Sequence, residues 1–334
     1  MARAILVIGP AWVGDMVIAQ SLFRQLKADD PAVDIDVIAP PWTAPVATRM
    51  AEVRRVLPLA IAHGQLGLLR RLRLGRDLRG RYERVIVLPN SFKSALTALA
   101  TGAAQRTGFL GEMRRGLLND IRREPPGRPL RTVDRFVLLA RPAGAPRPEP
   151  LPPRLMADAA HARATLKRLG AASVDGPVLA LCPGAEYGPA KRWPARHFSA
   201  LAQRYRKRGF RIWILGSSRD REAAEAIDVE GKEDFSGQTG LLEAIDLLAQ
   251  ATAVVSNDSG LMHVAAALGR PLAALYGSSD PAHTPPLDHR AVVVSRRLPC
   301  SPCFARTCPL GHLRCLEDLD ADQVALALDE ALAR

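Results

Sequence analysis

Short apolar runs alternate with helical patterns along the first part of the chain. Residues 4–9 (AILVIG) predict a buried strand, and residues 15–31 keep apolar positions at helical spacing until Pro31 ends the helix. The same patterns predict four more elements, namely strands over 33–40, 84–90 and 105–111 and a helix over 91–102. Strands that alternate with helices in this way form a parallel sheet covered on both faces, so an α/β fold is predicted.

A proline-rich segment separates two such series of elements. Residues 141–154 (RPAGAPRPEPLPPR) contain six prolines, which exclude a helix or an inner strand and favour a semi-rigid linker. Two domains are therefore predicted, at residues 1–150 and 151–334, and this division suits a chain of 334 residues.

The second domain repeats the strand–helix pattern. Its predicted elements are strands over 177–184, 211–218, 252–257 and 271–277 and helices over 195–209, 239–251, 259–269 and 320–334. The last helix is amphipathic and is also able to pack back on the first domain. Two doubly wound domains are expected to bind their ligands at the carboxyl ends of the strands, in a cleft between the domains.

The charge of the chain favours phosphate-rich partners. Its 46 Lys and Arg against 34 Asp and Glu give a formal net charge of +12, which is typical of proteins that meet nucleic acid, an anionic membrane face or a phosphorylated substrate. Nucleic acid is disfavoured because aromatic residues make up only 5% and no finger, basic helix or aromatic RNA motif is present. The apolar runs are too short for a membrane span, and the first residues do not resemble an export signal, so a cytoplasmic protein is predicted.

Small and polar residues stand at the start of one helix in the second domain. Asn257, Asp258, Ser259 and Gly260 lead directly from a strand into this helix. Asp258 or Ser259 is able to cap the first N–H groups, and a glycine lets a ligand approach the backbone. Free N–H groups and the positive end of the helix dipole suit a diphosphate, with His263 one turn further on. A plain helix cap with a core histidine is the alternative.

The loop after the first strand of this domain carries cations. Residues 182–194 (CPGAEYGPAKRWP) include Lys191 and Arg192, which suit a departing diphosphate, and Glu186 is assigned to the same donor-binding loop.

Two more strand ends have a similar composition. In the loop 215–222, Ser217 allows close approach of a ligand and Asp220 is available for hydroxyl contacts, while residues 276–286 again follow a strand with Gly and Ser. Together these loops predict a nucleotide-diphosphate pocket, with four ordinary loops as the alternative.

Asp15 is the candidate catalytic residue of the first domain. It lies in the segment 9–17 (GPAWVGDMV), a glycine-containing turn after the first strand that is not GxGxxG and in which Trp12 would crowd a dinucleotide. Asp15 either caps the following helix or acts as a general base that takes a proton from an acceptor hydroxyl. Opposite a diphosphate pocket, such a base is what inverting glycosyl transfer needs.

Five segments in order along most of the chain resemble the ADP-heptose:lipopolysaccharide heptosyltransferases, and most of all the members that add the second heptose. They are ILVIGPAWVGDMVIAQSL, VLPNSFKSAL, RTGFLGEMRRGLLND, CPGAEYGPAKRWP and SNDSGLMHVAAAL. The resemblance implies a GT-B fold of two Rossmann-like domains, with the nucleotide sugar on the C-terminal one. It also implies inverting transfer of L-glycero-D-manno-heptose from ADP-heptose to the first heptose of the lipopolysaccharide inner core, with no cofactor required for the chemistry.

The resemblance also assigns residues. Asp15 matches the family's catalytic carboxylate and Lys191 the lysine on the donor phosphates. Four positions match the donor motif, namely Asp258, Ser259, Gly260 and His263. Asp258 is expected to bind heptose hydroxyls, while the amides of Ser259 and Gly260 meet the diphosphate.

The acceptor side is expected in the first domain. An acceptor made of lipid A, Kdo and heptose carries phosphates and carboxylates, for which polar and basic side chains in the matching segments are suited. These are Asn90, Ser91, Lys93, Arg106, Arg114 and Arg115. The basic first domain is also expected to hold the enzyme at the anionic inner face of the inner membrane.

Four cysteines close to one another indicate a separate site. Cys300, Cys303, Cys308 and Cys315 are spaced C-x2-C-x4-C-x6-C, and in a reducing cytoplasm such thiols favour a structural zinc over disulfides. An iron–sulfur cluster and unligated thiols are the alternatives. Cys182 is predicted to be a small buried apolar residue.

Other functions remain open from the sequence. They are addition of the first heptose, use of another nucleotide sugar by a GT-B transferase or epimerase, and a binding protein of the same fold without chemistry. The sequence also leaves open whether a divalent cation assists.

Overall fold

The computed structural model describes residues 4–61, 65–125, 127, 129–171 and 174–334. The chain forms two compact units, of which unit 1 ends at Leu155 and unit 2 runs from Met156 to Arg334. Each unit contains a six-stranded sheet whose strand pairs are all parallel in the described residues, so the predicted α/β class is confirmed.

The elements of unit 1 begin with an apolar strand and a long helix. In chain order they are β1 (Ala4–Ile8), α1 (Val13–Asp29), β2 (Asp34–Ala39), α2 (Ala44–Thr48), β3 (Val53–Pro58), α3 (Leu68–Asp77), β4 (Arg84–Val87), α4 (Phe92–Ala100), β5 (Gln105–Phe109), β6 (Asp120–Arg122) and α5 (Thr132–Leu138).

Unit 2 follows the same alternation. Its elements are α6 (Ala159–Arg168), β7 (Val178–Cys182), α7 (Ala195–Lys207), β8 (Arg211–Ile214), α8 (Arg221–Glu225), β9 (Glu233–Asp234), α9 (Leu241–Leu248), β10 (Ala253–Asn257), α10 (Gly260–Ala267), β11 (Leu272–Tyr276), β12 (Ala291–Ser295), α11 (Arg314–Glu317) and α12 (Ala321–Ala333). Short 3-10 helices form at Pro189–Lys191 and Ser218–Asp220. Helix α12 packs on α7 and on the strands β10 to β12 of its own unit.

The two sheets have the same topology. The strand order is β3-β2-β1-β4-β5-β6 in unit 1 and β9-β8-β7-β10-β11-β12 in unit 2. The order reverses between β1 and β4 in the first sheet and between β7 and β10 in the second. Open parallel sheets bind ligands at the carboxyl ends of the strands beside such a switch point. The loops after these four strands are therefore where each unit is expected to bind a ligand.

Unit 1 holds its edge strand with an unusual ionic cluster. Asp36 of β2 is fully buried and accepts hydrogen bonds from Arg54 at 2.9 Å, Arg55 at 2.7 Å and the Tyr82 hydroxyl at 2.5 Å. Burial raises the pKa of Asp36, but these hydrogen bonds outweigh it and lower the pKa to about 2. The two arginines belong to β3. The apolar pattern did not predict this strand, because the two arginines that bind Asp36 interrupt its apolar run.

The proline-rich segment has neither helix nor strand, as predicted, but its end is hydrogen-bonded to the rest of unit 1. The buried Gln20 of α1 donates to the Arg154 carbonyl at 2.7 Å and accepts from the Arg154 N–H at 2.9 Å. These bonds join the last residues of unit 1 to its first helix. Within the described residues, no helix combines the length and the apolar character that crossing a membrane would require.

Candidate active site

Asn257, the last residue of β10, fixes both ends of the loop that follows β7. Its Nδ2 donates to the Pro183 carbonyl at 2.7 Å, and its Oδ1 accepts from the Trp193 N–H at 3.1 Å. Asn257 and Trp193 are both buried, and the Trp193 indole donates to the Leu319 carbonyl at 2.7 Å. The loop between Pro183 and Trp193 is thereby tied to the switch point of unit 2. In the sequence Asn257 is only one of several small polar residues before a helix, and nothing there indicates this role.

Lys191, Asp258 and Ser279 meet at this switch point. The Lys191 Nζ lies 2.5 Å from Asp258 Oδ2, and the Ser279 hydroxyl donates to the same oxygen at 2.5 Å. The Lys191 side chain is 17% exposed and that of Asp258 is 6% exposed. Three loops, after β7, β10 and β11, thus contribute one side chain each. Ser279 had not been predicted, because one serine in a loop rich in Gly and Ser carries no signal of its own.

The first turn of α10 lacks a side-chain cap. Ser259 occupies the N-cap position with extended dihedral angles, and its side chain makes no capping hydrogen bond. Asp258 does not cap the helix either, because its carboxylate contacts Lys191 and Ser279. A side-chain cap, the alternative that the sequence left open, is therefore absent from the start of α10. An uncapped helix start beside a lysine is a suitable place for an anion.

His263 lies in the second turn of α10 and is buried. Burial lowers the pKa of His263 to about 4; the nearby Lys191 acts in the same direction and Asp258 against it. The imidazole is therefore neutral at physiological pH, and it contributes no positive charge to an anion site.

Asp220 is not free for hydroxyl contacts in the way that the sequence indicated. Its Oδ2 accepts from the Ser217 N–H at 2.9 Å and from the Ser217 hydroxyl at 2.7 Å, which closes a capping box. Its Oδ1 lies 3.9 Å from Arg192. A Cβ at Gly184 would lie 2.5 Å from either carboxylate oxygen, so only glycine leaves room for Asp220 at this strand end.

Glu186 lies on the exposed side of the loop after β7. It forms an ion pair with Arg219, and the two side chains are 53% and 74% exposed. An ion pair with this exposure adds little stability. The structure therefore brings Lys191 and Asp258 together directly, while Glu186 is paired with a residue that the sequence had not selected.

Asp15 lies in the first turn of α1, directly after the carboxyl end of β1. The turn before it is held by three hydrogen bonds: Gly9 N–H to the Ile38 carbonyl at 2.8 Å, the Trp42 indole to the Ala11 carbonyl at 2.7 Å and the Thr43 hydroxyl to the Pro10 carbonyl at 3.3 Å. The Asp15 side chain is half-buried. Asp15 therefore lies beside the switch point of unit 1.

Arg114 is the clearest departure from the predicted acceptor set. Its side chain is fully buried, and its guanidinium donates to the carbonyls of Pro89 and Phe109 and, at 3.4 Å, to Asn90 Oδ1. Burial lowers the pKa of Arg114 from its usual value. These partners make Arg114 a tie between the ends of β4 and β5 rather than an exposed anion ligand.

The remaining acceptor candidates are dispersed. Arg106 lies at the amino end of β5, where it donates to the carbonyls of Leu117 and Ala103 at 2.8 and 2.7 Å, so it does not join the others at the carboxyl edge. Lys93 Nζ donates to the Gln65 carbonyl at 3.3 Å. Ser91 takes the N-cap position of α4 without a side-chain cap. Asn90 and Arg115 are exposed.

A surface concavity of unit 1 includes Arg114 and Arg115 in its lining. It has a volume of about 500 Å³ and is lined by Leu110, Gly111, Met113, Arg114 and Arg115. Gly111 is required here because a Cβ would lie 2.3 Å from the Asn90 carbonyl oxygen. The close contact holds the loop after β5 against the loop after β4.

The four cysteines of the C-terminal segment differ in their surroundings. Cys303 is exposed, Cys300 and Cys308 are half-buried and Cys315 is buried. In the described part of the chain, no group of three or more His, Cys, Asp or Glu side chains is arranged to hold a metal ion. The predicted structural zinc is therefore unsupported, because a tetrahedral site needs the sulfur atoms to converge on one point. Cys182 is fully buried at the end of β7, as predicted.

Comparison with known proteins extends these observations. The model of glycosyltransferase family 9 (heptosyltransferase) matches residues 71–314. Lipopolysaccharide heptosyltransferase 2 of Escherichia coli K12 is 46% identical over 305 residues, 87% of each chain. Lipooligosaccharide heptosyltransferase 2 of Haemophilus ducreyi is 42% identical and covers 98% of this chain and 99% of its own. Lipopolysaccharide heptosyltransferase 1 of Pseudomonas aeruginosa is only 27% identical over 354 residues.

The fold of this chain matches that of a solved structure along nearly its whole length. The structure of E. coli ADP-heptose lps heptosyltransferase II has a TM-score of 0.87 and 41% sequence identity, and the match covers 99% of both chains. The predicted GT-B fold and the predicted glycosyltransferase activity are thereby confirmed. With a family match over more than half of its length and relatives of 42 and 46% identity, the chain belongs to glycosyltransferase family 9, the heptosyltransferases.

Proposed function

We propose that this enzyme transfers L-glycero-D-manno-heptose from ADP-heptose to the first heptose of the lipopolysaccharide inner core, which is the reaction of heptosyltransferase II. The observation that carries the proposal is the contact of Lys191 with Asp258, 2.5 Å apart, at the uncapped start of α10. Identity of 42 and 46% to type 2 enzymes, against 27% to a type 1 enzyme, favours the second heptose over the first.

Unit 2 is assigned the donor. The backbone N–H groups that open α10 at Ser259 and Gly260 bind the diphosphate, and Lys191 moves its charge from Asp258 to the phosphate oxygens when ADP-heptose enters. Asp258, released from Lys191 but still held by Ser279, accepts hydrogen bonds from heptose hydroxyls. Arg192, the next residue in the chain, is assigned a second positive charge for the diphosphate.

Unit 1 is assigned the acceptor and the base. The Asp15 carboxylate takes the proton of the acceptor hydroxyl, and the freed oxygen attacks the anomeric carbon from the face opposite the diphosphate. A new glycosidic bond forms as the bond between the anomeric carbon and the phosphate oxygen breaks, and ADP leaves with the electron pair. Lys191 and the helix N–H groups stabilise the charge that develops on ADP. Every electron pair moves within the two substrates and Asp15, so this step needs no redox cofactor.

The choice of acceptor can be tested with defined truncated cores. We expect transfer from ADP-heptose to lipid A–Kdo that carries one heptose to be at least about 10²-fold faster than transfer to the same core without heptose, since the enzyme must recognise the first sugar's hydroxyls. The measurement is product formation by mass spectrometry with purified enzyme. Preference for the heptose-free core would instead assign the first heptose addition. Calorimetry with ADP-heptose and a UDP-sugar identifies the donor independently of the acceptor.

The membrane surface is the second proposed partner of unit 1. Helix α3 exposes 80% of Leu69, and its Arg73 and Arg76 are also exposed, so apolar and basic side chains stand together as at a lipid interface. The lipid acceptor would lie at the anionic inner face of the inner membrane. No nucleic-acid partner is proposed, because charge alone would support one.

Vesicle flotation tests this partner. We expect the protein to float with phosphatidylglycerol vesicles and not with phosphatidylcholine vesicles, and reversal of two charges by Arg73→Glu and Arg76→Glu to weaken binding by about tenfold or more. The matched control is Arg163→Glu with Arg297→Glu, which changes the net charge equally on two exposed arginines of unit 2. Equal loss in both double variants, or no flotation of the wild type, would remove the membrane contact from the proposal.

A further inference from the structure

Residues 301–306, here named the strap, contact the loop that carries Ser279. The Phe304 N–H donates to the Ser278 carbonyl at 2.7 Å, and the Ser301 hydroxyl donates to the Gly277 carbonyl at 2.6 Å. Both acceptors precede Ser279 in the loop after β11. The strap therefore fixes the backbone from which the Ser279 hydroxyl reaches Asp258.

The strap also contacts the loop that carries Lys191. The Ala190 N–H donates to the Arg306 carbonyl at 3.0 Å, and the Tyr187 hydroxyl donates to the Phe304 carbonyl at 2.7 Å. Ala190 is the immediate neighbour of Lys191. The strap is thus bonded to both of the loops whose side chains meet at Asp258.

The two segments approach each other closely at Gly188. A Cβ at this position would lie 2.4 Å from the carbonyl oxygen of Arg306, so any side chain would push the loop and the strap apart. The Tyr187 ring adds a contact, with the Arg306 guanidinium 4.9 Å and the Lys191 Nζ 5.0 Å from its centroid. One aromatic ring therefore contacts a cation of the strap and the cation of the donor site.

We propose that the strap is a positioning element of the donor site, which holds the backbone of Lys191 and Ser279 beside Asp258 before the nucleotide diphosphate binds. A loop that is already fixed in place loses less conformational freedom when its lysine moves from the carboxylate to a phosphate. None of the strap residues needs to touch the substrate in this arrangement. The inference rests on the proposed function, because the diphosphate of ADP-heptose is the ligand for which Lys191 is held.

The test is calorimetric titration with ADP of the full-length enzyme and two variants. Gly188→Ala separates the loop from the strap and is expected to weaken ADP binding by about tenfold, while Arg306→Ala removes the cation on Tyr187 and is expected to weaken it by about threefold. The controls are Gly240→Ala, where a Cβ would meet only Glu243 at 3.8 Å, and Arg297→Ala, an exposed arginine. Both controls should bind ADP within about twofold of the wild type.

A Lys191→Ala background separates positioning from direct binding. If the strap acts through Lys191, then Gly188→Ala and Arg306→Ala cause no further loss of ADP affinity once Lys191 is absent. Full additivity in that background would overturn the inference, as would wild-type affinity in both strap variants. Unfolding temperatures identify a variant that fails to fold, in which case Arg306→Ala decides alone. If the wild type does not bind ADP, both the proposed function and the positioning role of the strap are refuted. If the wild type binds ADP and the strap variants bind it equally well, only the positioning role is refuted.

Discussion

Asp15→Asn is expected to reduce heptose transfer by about 10³-fold while the affinity for ADP stays within about twofold of the wild type. The amide keeps the size of the side chain but cannot take the proton of the acceptor hydroxyl. Since ADP is bound by unit 2 in the proposed mechanism, its binding does not depend on this residue. Transfer rates and calorimetry on the same preparation measure the two quantities.

A matched variant separates catalysis from helix stability. Asp15 and Asp322 are both acidic residues in the first turn of a helix, α1 and α12 respectively. Each amide variant should lose the interaction with its helix dipole, worth about 0.5 kcal/mol. Asp322→Asn also loses an ion pair with Arg204, but that pair is exposed and adds little stability, so the two variants should have similar unfolding temperatures. Only Asp15→Asn should lose transfer. Activity above a tenth of the wild-type rate in Asp15→Asn would exclude Asp15 as the base.

Asp258→Asn is expected to lower kcat/KM for ADP-heptose by about 10²-fold, because hydrogen bonds from the sugar hydroxyls to a charged group are lost. ADP without the sugar should bind at least as tightly as it does to the wild type. The carboxylate that pairs with Lys191 at 2.5 Å is gone, so the lysine charge is available to the phosphates from the start. The sign of the ADP effect is therefore opposite to the sign of the effect on transfer.

Asp246→Asn is the control for this variant. Asp246 is a fully buried carboxylate of the same unit, and it contacts His161 at 2.6 Å and the Asp158 N–H at 2.8 Å. Its substitution should lower the free energy of unfolding and leave kcat/KM unchanged. If Asp258→Asn weakened ADP and ADP-heptose equally, the carboxylate would have no special contact with the heptose.

The sequence predicted those elements whose side chains are apolar on both faces. Strands β1 and β7 are continuous apolar runs and β10 begins as one, and the structure has all three within two residues of the predicted bounds. Strand β3 escaped prediction because Arg54 and Arg55 break its apolar run, and their burial partner Asp36 is distant in sequence. Long-range pairing of this kind leaves no periodic signal.

The same limit applied to the site. Lys191 and Asp258 were selected from separate loops, and the structure brings them into contact. Arg114 was selected for its charge, but three acceptors from the ends of β4 and β5 bury it. A sequence shows that a guanidinium is present, but it does not show whether backbone carbonyl groups already accept its hydrogen bonds. The sequence also carries no signal for the strap, because most of its contacts are made by backbone atoms, which every residue has.

The shared strand order of the two units bears on how enzymes of this type diverge. In each unit most of the candidate residues lie on loops and helix starts at the carboxyl ends of the strands, near the place where the strand order reverses; Arg106 of β5 is an exception. Exchange of a few loop side chains can therefore alter the preferred sugar or lipid without altering the scaffold. Paralogues with new specificities are accordingly expected to differ most in these segments, and to keep the apolar strands beneath them nearly unchanged.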